Sequence, residues 1–263
     1  MTNQMDLNCD MGELPQAVLD GTQDALMASV TSANIACGGH AGDDSTMEAT
    51  VRQALRHGVC IGAHPGFPDR ANFGRLAVSL TPAQIADTVY EQVVALVRIA
   101  QRCGAAVGYV KPHGALYNLA ARDAELARAI AQGVARWRSD VVLVGLAGST
   151  MLDAFHDMGF EVAAEAFADR LYEPDGSLRS RKLPHALIRD PQSAAAQALR
   201  IAQRRQVVAA DGSQIAVDAQ TICVHGDTPG CVQIAAAVAS SLREAGVELK
   251  GLPDTDYDDR AAV

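Results

Sequence analysis

Seven short apolar runs alternate with longer stretches of helical periodicity along this 263-residue chain. The runs span residues 5–10, 30–38, 59–64, 107–113, 141–148, 159–165 and 221–225. Strand, helix and strand repeated at this spacing predict parallel β/α units, whose crossovers are right-handed. The pattern therefore predicts an α/β fold with about seven parallel strands.

Helix-boundary signals lie between the runs. Thr81 and Asp190 each precede a proline, which predicts a capped helix start at both positions. A third helix is predicted over 43–57, with Gly58 as its stop. These boundaries suit helices that connect successive strands.

The ends of the predicted strands favour a barrel over an open sheet. No GxGxxG follows the first strand, as a dinucleotide-binding sheet would require. Nearly every strand ends in polar residues, and a barrel gathers such ends around one mouth. We expect an irregular (β/α)7-type barrel over residues 1–252 as a single catalytic domain, followed by an acidic, flexible tail over 253–263. Two long loops, 66–79 and 169–190, follow strand ends, where such loops are often lids, although insertions without a function have the same pattern.

Composition narrows the class of protein. The chain carries 22 Lys plus Arg against 31 Asp plus Glu, so its formal net charge is −9. Such a chain is not expected to bind nucleic acid through phosphate contacts. No apolar run could cross a membrane and the first residues lack a signal-peptide pattern, so we expect a cytoplasmic protein with no membrane partner. The six cysteines lack CxxC spacing and are expected to be reduced and mostly buried.

Polar side chains cluster at the predicted strand ends. Asp6, Asn8 and Asp10 share one face of the first strand, because side chains alternate with a period of two. Three polar groups on one face of a buried strand are costly unless they are paired or used. Four of the seven histidines close four further strands, and these are His40, His64, His113 and His225. A single such histidine is more simply a hydrogen-bonded loop residue, but four at equivalent positions predict a site.

Two kinds of chemistry fit this set of residues. Asp10, His40 and His64 could hold a divalent metal ion that activates water. Alternatively, the histidines and carboxylates act as general acids and bases without a metal. No HExxH spacing favours the metal, and both alternatives stay open at this point.

Cationic residues near the strand ends suit a small anionic substrate. Lys111, just before His113, could neutralise an anionic group or a developing oxyanion. The two long loops contribute Arg70, Arg75, Arg170, Arg179, Arg181 and Lys182. No GxxxxGK[ST] pattern occurs, which excludes a P-loop for ATP in this chain.

Seven sequence blocks, in order, closely resemble the LamB/YcsF family. They are DLNCDMGE (6–13), TSANIACGGHAGD (31–43), GAHPGFPD (62–69), YVKPHGALYN (109–118), VGLAGS (144–149), EAFADRLY (165–172) and ICVHGDTPG (222–230). The resemblance covers nearly the whole chain. The sequence departs from the family pattern after Glu13, where it reads LPQAVLDGTQ, and at Leu76, where an arginine is common in the family. Both departures lie in loops.

The resemblance implies a barrel of the glycoside hydrolase/deacetylase type. It also implies an ATP-dependent 5-oxoprolinase, which opens the lactam of 5-oxo-L-proline to L-glutamate together with partner subunits B and C. ATP is then a co-substrate that a partner subunit could bind. Two alternatives are a metal-dependent amide or polysaccharide deacetylase and a non-catalytic substrate-binding subunit.

The resemblance also carries over the positions of a set of site residues, and the roles that follow are inferred from their chemistry. The expected catalytic residues are Asp10, His64, Lys111 and His113, with Asp10 or His64 as the water-activating base and His113 as the acid to the leaving nitrogen. Lys111 and the backbone at Gly38 and Gly39 are expected to stabilise the oxyanion. The expected substrate-binding residues are Asn8, Glu13, Gly38, Gly39, His40, Asp43, Glu165, Asp169, His225 and Asp227.

Overall fold

A ring of seven parallel strands forms the centre of the molecule. The computed structural model describes residues 4–252. The ring strands are β1 (Gln4–Met11), β2 (Ser32–Ala36), β3 (Cys60–His64), β4 (Tyr109–Val110), β5 (Val142–Leu146), β6 (Glu161–Phe167) and β9 (Thr221–Val224). Each pairs in parallel with the next, and β9 pairs with β1, which closes the ring. The predicted seven-stranded β/α barrel is confirmed.

Helices connect the strands around the outside of this barrel. They are α1 (Pro15–Leu19), α2 (Thr22–Met27), α3 (Asp44–His57), α4 (Pro82–Arg102), α5 (Gly114–Ala120), α6 (Ala124–Ala135), α7 (Thr150–Asp157), α8 (Pro191–Arg204) and α9 (Cys231–Glu244). No helix of the described part is long and apolar enough to cross a membrane.

The three helix starts predicted from capping signals are confirmed. Asp43 accepts a hydrogen bond from the Thr46 N–H at the start of α3, and Gly58 ends that helix with a positive φ of 65°. Thr81 caps α4 and Asp190 caps α8, each followed by a proline in the first turn. Side-chain oxygens thus satisfy backbone N–H groups that a helix start leaves unpaired.

Side chains on β1 show how the barrel divides polar from apolar residues. Leu7, Cys9 and Met11 are buried in the main apolar core, against the surrounding helices. Asp6, Asn8 and Asp10 alternate with them and make hydrogen bonds to side chains of other strands inside the barrel. Polar side chains therefore occupy much of the barrel interior.

Three short strands were not predicted from the sequence. β7 (Gln206–Val208) and β8 (Gln214–Ala216) form an antiparallel hairpin, and β10 (Glu248–Leu249) pairs in parallel with the start of β1. Each has only two or three residues, too few for a recognisable apolar period. The expected tail over 253–263 lies outside the described residues.

Most of the cysteines are buried residues with free thiols. No disulfide joins the six, all of which lie within residues 4–252, and four of them are buried. Burial raises the pKa of the Cys9 thiol well above its ordinary value and that of Cys37 to about 12. Both thiols therefore stay protonated at neutral pH and are poor nucleophiles.

Candidate functional site

The lower network lies inside the barrel near the start of the strands and consists of Asp6, Thr31, Ser32 and Thr221. The hydroxyl groups of Thr31 and Ser32 donate to Asp6 Oδ1 at 2.7 and 2.6 Å. The Thr221 hydroxyl donates to Asp6 Oδ2. Both carboxylate oxygens of Asp6 thus have a donor, so the lower network is internally satisfied.

The central network lies one layer above and consists of Asn8, Asn34, Tyr109, Lys111 and Glu165. The Asn8 amide donates to Glu165 Oε1 at 3.0 Å, and its oxygen accepts from Asn34 at 2.7 Å. The Tyr109 hydroxyl donates to Asn34 Oδ1 at 2.8 Å. These side chains come from four different strands or strand ends, and their bonds fix them relative to one another.

Lys111 is the only cation in the central network. Its Nζ lies 2.7 Å from Glu165 Oε1, 3.1 Å from Asp10 Oδ1 and 3.2 Å from Asn8 Oδ1. Burial alone would lower the pKa of Lys111, but the charges of Asp10 and Glu165 outweigh burial and raise it well above its ordinary value. The ammonium therefore stays charged and directs its three N–H groups at protein acceptors.

The upper cluster lies at the mouth of the barrel and consists of Asp10, Glu13, His40, His64 and His113. Glu13 Oε1 lies 2.9 Å from His40 Nε2 and 3.1 Å from His113 Nδ1. His64 Nε2 lies 2.9 Å from His113 Nδ1 and 3.3 Å from Asp10 Oδ2. The rings of His40 and His113 stack with centroids 3.6 Å apart. All five residues are at most 8% exposed.

The carboxyl groups of the upper cluster are held ionised. Burial would raise the pKa of Asp10, but His64 and Lys111 hold it well below its usual range. Burial would likewise raise the pKa of Glu13, but the neighbouring His113 and His40 hold it below its ordinary value. Burial lowers the pKa of His40 to about 4, so that ring is neutral at pH 7.

His225 and Asp169 form a second acid–base pair at the mouth. His225 Nδ1 lies 2.9 Å from Asp169 Oδ1, and the His225 backbone N–H donates to Asp169 Oδ2 at 2.9 Å. The ring of Phe167 stacks on His225 with centroids 5.6 Å apart. The carboxylate fixes Nδ1 as the protonated nitrogen, which leaves Nε2 of a neutral ring as the proton acceptor.

The two predicted lid loops meet over the mouth. In loop 66–79 the Phe73 carbonyl oxygen lies 3.0 Å from His113 Nε2. Gly74 has a φ of +63°, and a side chain there would lie 2.7 Å from His40, so only glycine lets this loop approach the cluster. Arg75 from this loop and Arg181 from loop 169–190 both bind Asp227 Oδ2.

Three expected site residues have other roles in the structure. Asp43 is exposed and its carboxylate caps α3, so it does not join the cluster. The Gly38 N–H donates to the Ala41 carbonyl at 2.8 Å and is not free to bind an oxyanion. A side chain at Gly39 would overlap Gln92, which bonds the backbone of Gly66. Glycine at 39 is therefore explained by packing.

The oxyanion role expected of Lys111 also needs correction. Its N–H groups face Glu165, Asp10 and Asn8, and its side chain is 3% exposed. Lys111 therefore holds the neighbouring carboxylates in place beneath the mouth and has no free N–H for a substrate.

Most loop cations bind the protein itself. Arg70 donates to the carbonyl oxygens of Gly38 and Gly42 at 2.9 and 2.8 Å. Arg170 is buried and donates to the Arg179 carbonyl. The remaining cations of the set are Arg179, which pairs with Glu173, and Lys182, which is exposed. Arg75 and Arg181 are partly exposed and both bind Asp227 at the mouth.

Sequence reasoning missed several residues that build the site. Asn34, Tyr109 and Gln92 position the central network and a lid, and Phe73 supplies a carbonyl to His113. Asn34 had a usable signal, since it lies on a predicted strand with alternating polar residues. Gln92 gave none, because it lies on a long amphipathic helix where glutamine is ordinary.

Within residues 4–252, two groups of side chains could hold a metal ion. Donor atoms of Glu13, His40, His64 and His113 lie within 4.8 Å of one another, and so do those of Asp10, Cys223 and His225. Asp10, His40 and His64, the set considered from the sequence, are thus divided between two groups. A cleft of about 380 Å³ lies at the opposite end of the barrel, beside Thr31, Cys60 and Lys250, and contains no member of either group.

Comparison with known proteins identifies the family to which this chain belongs. The model of the LamB/YcsF family matches residues 5–256. A Chloroflexus aggregans protein, named as the A subunit of 5-oxoprolinase, is 49% identical, covering 94% of this chain and 98% of that protein. A Bordetella pertussis protein of the same name is 48% identical, covering 95% and 99%.

A solved structure agrees with these relatives. A lactam utilization protein from Thermus thermophilus superposes with a TM-score of 0.88 at 40% identity, covering 95% of this chain and all of that chain. The barrel described above is therefore shared, over nearly its full length, with a solved relative.

Proposed function

Because the chain belongs to the LamB/YcsF family, we propose that it is the A subunit of a 5-oxoprolinase. The assembled enzyme would open the lactam of 5-oxo-L-proline to L-glutamate at the expense of ATP, with partner subunits B and C. The relatives named for the same 5-oxoprolinase component, at 48–49% identity over most of the chain, support this assignment. So does the name lactam utilization protein for the solved relative.

The observation that carries a catalytic role is the buried acid–base array at the barrel mouth. Asp10 and Glu13 are ionised and buried within reach of His64 and His113, and His225 is oriented by Asp169. Buried charged groups are costly, and a protein that only binds or scaffolds has no need of so many. This array is why we assign lactam chemistry to this chain.

Ring opening adds one water to the lactam. A C–O bond forms at the carbonyl carbon, the C–N bond breaks and the nitrogen gains a proton. His225 is suited to move that proton, because Asp169 fixes its Nδ1–H and leaves Nε2 able to accept and return one. The sequence expected His113 in this role, but His113 Nε2 is bound to the Phe73 carbonyl.

The lid arginines are suited to the substrate's carboxylate. Arg75 and Arg181 share one carboxylate oxygen of Asp227, and both side chains remain partly exposed. A bound anion would compete with Asp227 for these guanidinium groups and draw the two loops together. ATP is assigned to a partner subunit, since this chain has no P-loop pattern.

Reconstitution with candidate B and C subunits tests the proposal. Glutamate released from 5-oxo-L-proline is measured with and without ATP, for the wild-type chain, for His225→Ala and for His156→Ala. His156 is an exposed histidine on α7 and serves as the matched control. We expect ATP-dependent release, a fall in kcat of about 100-fold or more for His225→Ala and no change for the control.

Three outcomes would contradict it. No ATP-dependent release in a competent assembly would refute the 5-oxoprolinase assignment. Amide hydrolysis that needs no ATP would favour the deacetylase alternative. Full activity of His225→Ala would indicate that this chain binds substrate while its partners perform the chemistry.

A further inference from the structure

The two histidines at the centre of the upper cluster present lone pairs to each other. His64 Nδ1 lies 2.7 Å from the Lys111 carbonyl oxygen, and His113 Nε2 lies 3.0 Å from the Phe73 carbonyl oxygen. A carbonyl oxygen only accepts hydrogen bonds, so both of these ring nitrogens must carry their proton. In neutral rings the opposite nitrogens, His64 Nε2 and His113 Nδ1, are then bare, and they face each other at 2.9 Å.

Two carboxylates add further acceptors to the same point. Glu13 Oε1 lies 3.1 Å from His113 Nδ1 and 3.8 Å from His64 Nε2. Asp10 Oδ2 lies 3.3 Å from His64 Nε2. Three acceptor atoms, from Glu13, His64 and His113, thus lie within 3.8 Å of one another, with Asp10 Oδ2 beside His64. The region is buried, and unsatisfied polar atoms there are costly.

With both carboxylates ionised, no arrangement of protons on the two rings satisfies all of these contacts. A proton added to His113 leaves His64 Nε2 bare against Asp10, and a proton added to His64 leaves His113 Nδ1 bare against Glu13. Protonating both rings points two N–H groups at each other across 2.9 Å. A cation that accepts the lone pairs of Glu13, His64 and His113, with the Asp10 carboxylate beside it, removes these unfavourable contacts.

We infer that Glu13, His64 and His113, with Asp10 beside them, bind one divalent transition-metal ion. Ligands about 2.1 Å from a tetrahedral ion are about 3.4 Å apart, which falls within the 2.9–3.8 Å observed between the donor atoms. Each ring also donates its other N–H to a backbone carbonyl, the usual orientation of a metal-bound histidine. A mixed imidazole and carboxylate set suits zinc, manganese or cobalt.

His40 has a supporting role in this site. Its Nε2 lies 2.9 Å from Glu13 Oε1, and its ring stacks on His113. It therefore orients two ligands and is a positioning residue, which differs from the Asp10, His40 and His64 set considered from the sequence. When bound, a divalent ion would polarise a carbonyl or lower the pKa of a bound water. The inference goes beyond the proposed function, because it concerns the chain without substrate, nucleotide or partners.

Metal binding to the isolated, chelator-treated chain tests the inference. Zinc chloride is titrated by calorimetry, and cobalt chloride is titrated while the visible absorption of the bound ion is recorded. We expect one ion per chain, cobalt bands of nitrogen and oxygen ligation, and loss of stoichiometric binding in Glu13→Gln and His113→Ala. His40→Ala should weaken binding by about 10- to 100-fold, and His156→Ala should bind as the wild type does.

The outcomes separate this inference from the proposed function. Absence of binding to the wild type, or unchanged binding in both Glu13→Gln and His113→Ala, would overturn the metal site and leave the 5-oxoprolinase assignment standing. Normal zinc binding with no glutamate release by the assembled enzyme would do the reverse. Circular dichroism checks that each variant is folded, and Glu13→Gln, which keeps the side-chain shape, decides if His113→Ala does not fold.

Discussion

The lower network and the upper cluster are both buried and polar, but they differ in whether each acceptor atom has a hydrogen-bond donor. Asp6 receives donors from Thr31, Ser32 and Thr221, so each of its carboxylate oxygens is matched. In the upper cluster, acceptors face acceptors at 2.9–3.3 Å. The first arrangement contributes to holding the barrel together. The second arrangement lowers stability, and it identifies the position where we expect a ligand to bind.

Lys111 joins the central network to the upper cluster, and its removal should have the largest effect on stability. Lys111→Met would leave the carboxylates of Asp10 and Glu165 buried without their cation. We expect the free energy of unfolding to fall by about 3–5 kcal/mol, measured by urea denaturation. Lys250→Met, at an exposed position beside β10, is the matched control and should unfold like the wild type. Equal stability of both variants would mean that the barrel interior does not depend on this charge.

The lower network should give stability an unusual dependence on pH. Burial raises the pKa of Asp6 from 3.8 to about 6, against the hydrogen bonds of Ser32, Thr221 and Thr31, which lower it. The folded carboxyl therefore takes up its proton at a higher pH than the unfolded one. As pH falls from about 6 to about 4, this group raises the free energy of unfolding by up to about 3 kcal/mol.

Comparison with Asp6→Asn isolates this contribution. His40, whose pKa burial lowers to about 4, changes stability in the opposite direction over the same range. That change is common to both proteins and cancels in their difference. Chemical denaturation between pH 7 and pH 4 should show the wild type gaining stability relative to Asp6→Asn as pH falls. Parallel curves would show that the pKa of Asp6 is not raised in the folded protein.

The smallest expected effect on stability belongs to the upper cluster and has the opposite sign. In Glu13→Gln an amide N–H can face His113 Nδ1, where the carboxylate could only present a lone pair. We expect the metal-free variant to be more stable than the wild type by about 1 kcal/mol, and zinc to stabilise only the wild type. Thermal melts with and without zinc check both parts. A clear loss of stability without metal would place Glu13 among the structural residues.

The barrel and most residues of its mouth could be predicted from the sequence. Strand periodicity and helix caps at Asp43, Thr81 and Asp190 depend on local residue order, and the structure confirms them. Closing the barrel then brings Asp10, His64 and His113 together, because each lies at a strand end and the strand ends meet at the mouth.

The balance of hydrogen bonds could not be predicted. Which nitrogen of His64 carries the proton depends on the Lys111 carbonyl, and which nitrogen of His113 does so depends on the Phe73 carbonyl in a lid. Asp43 shows a second reason. An aspartate after a strand can bind a ligand or cap the next helix, and in the structure it caps α3. Only the packed structure separates these roles.

The central claim is that the upper cluster is the catalytic centre. The most direct test compares glutamate release by assembled enzymes that carry Glu13→Gln or Asp6→Asn. The two variants each neutralise one buried carboxylate of the barrel, at opposite levels. With ATP and 5-oxo-L-proline, Glu13→Gln should lose about 100-fold or more in kcat while Asp6→Asn stays close to the wild type. Full activity of Glu13→Gln, or an equal loss in both variants, would contradict the account.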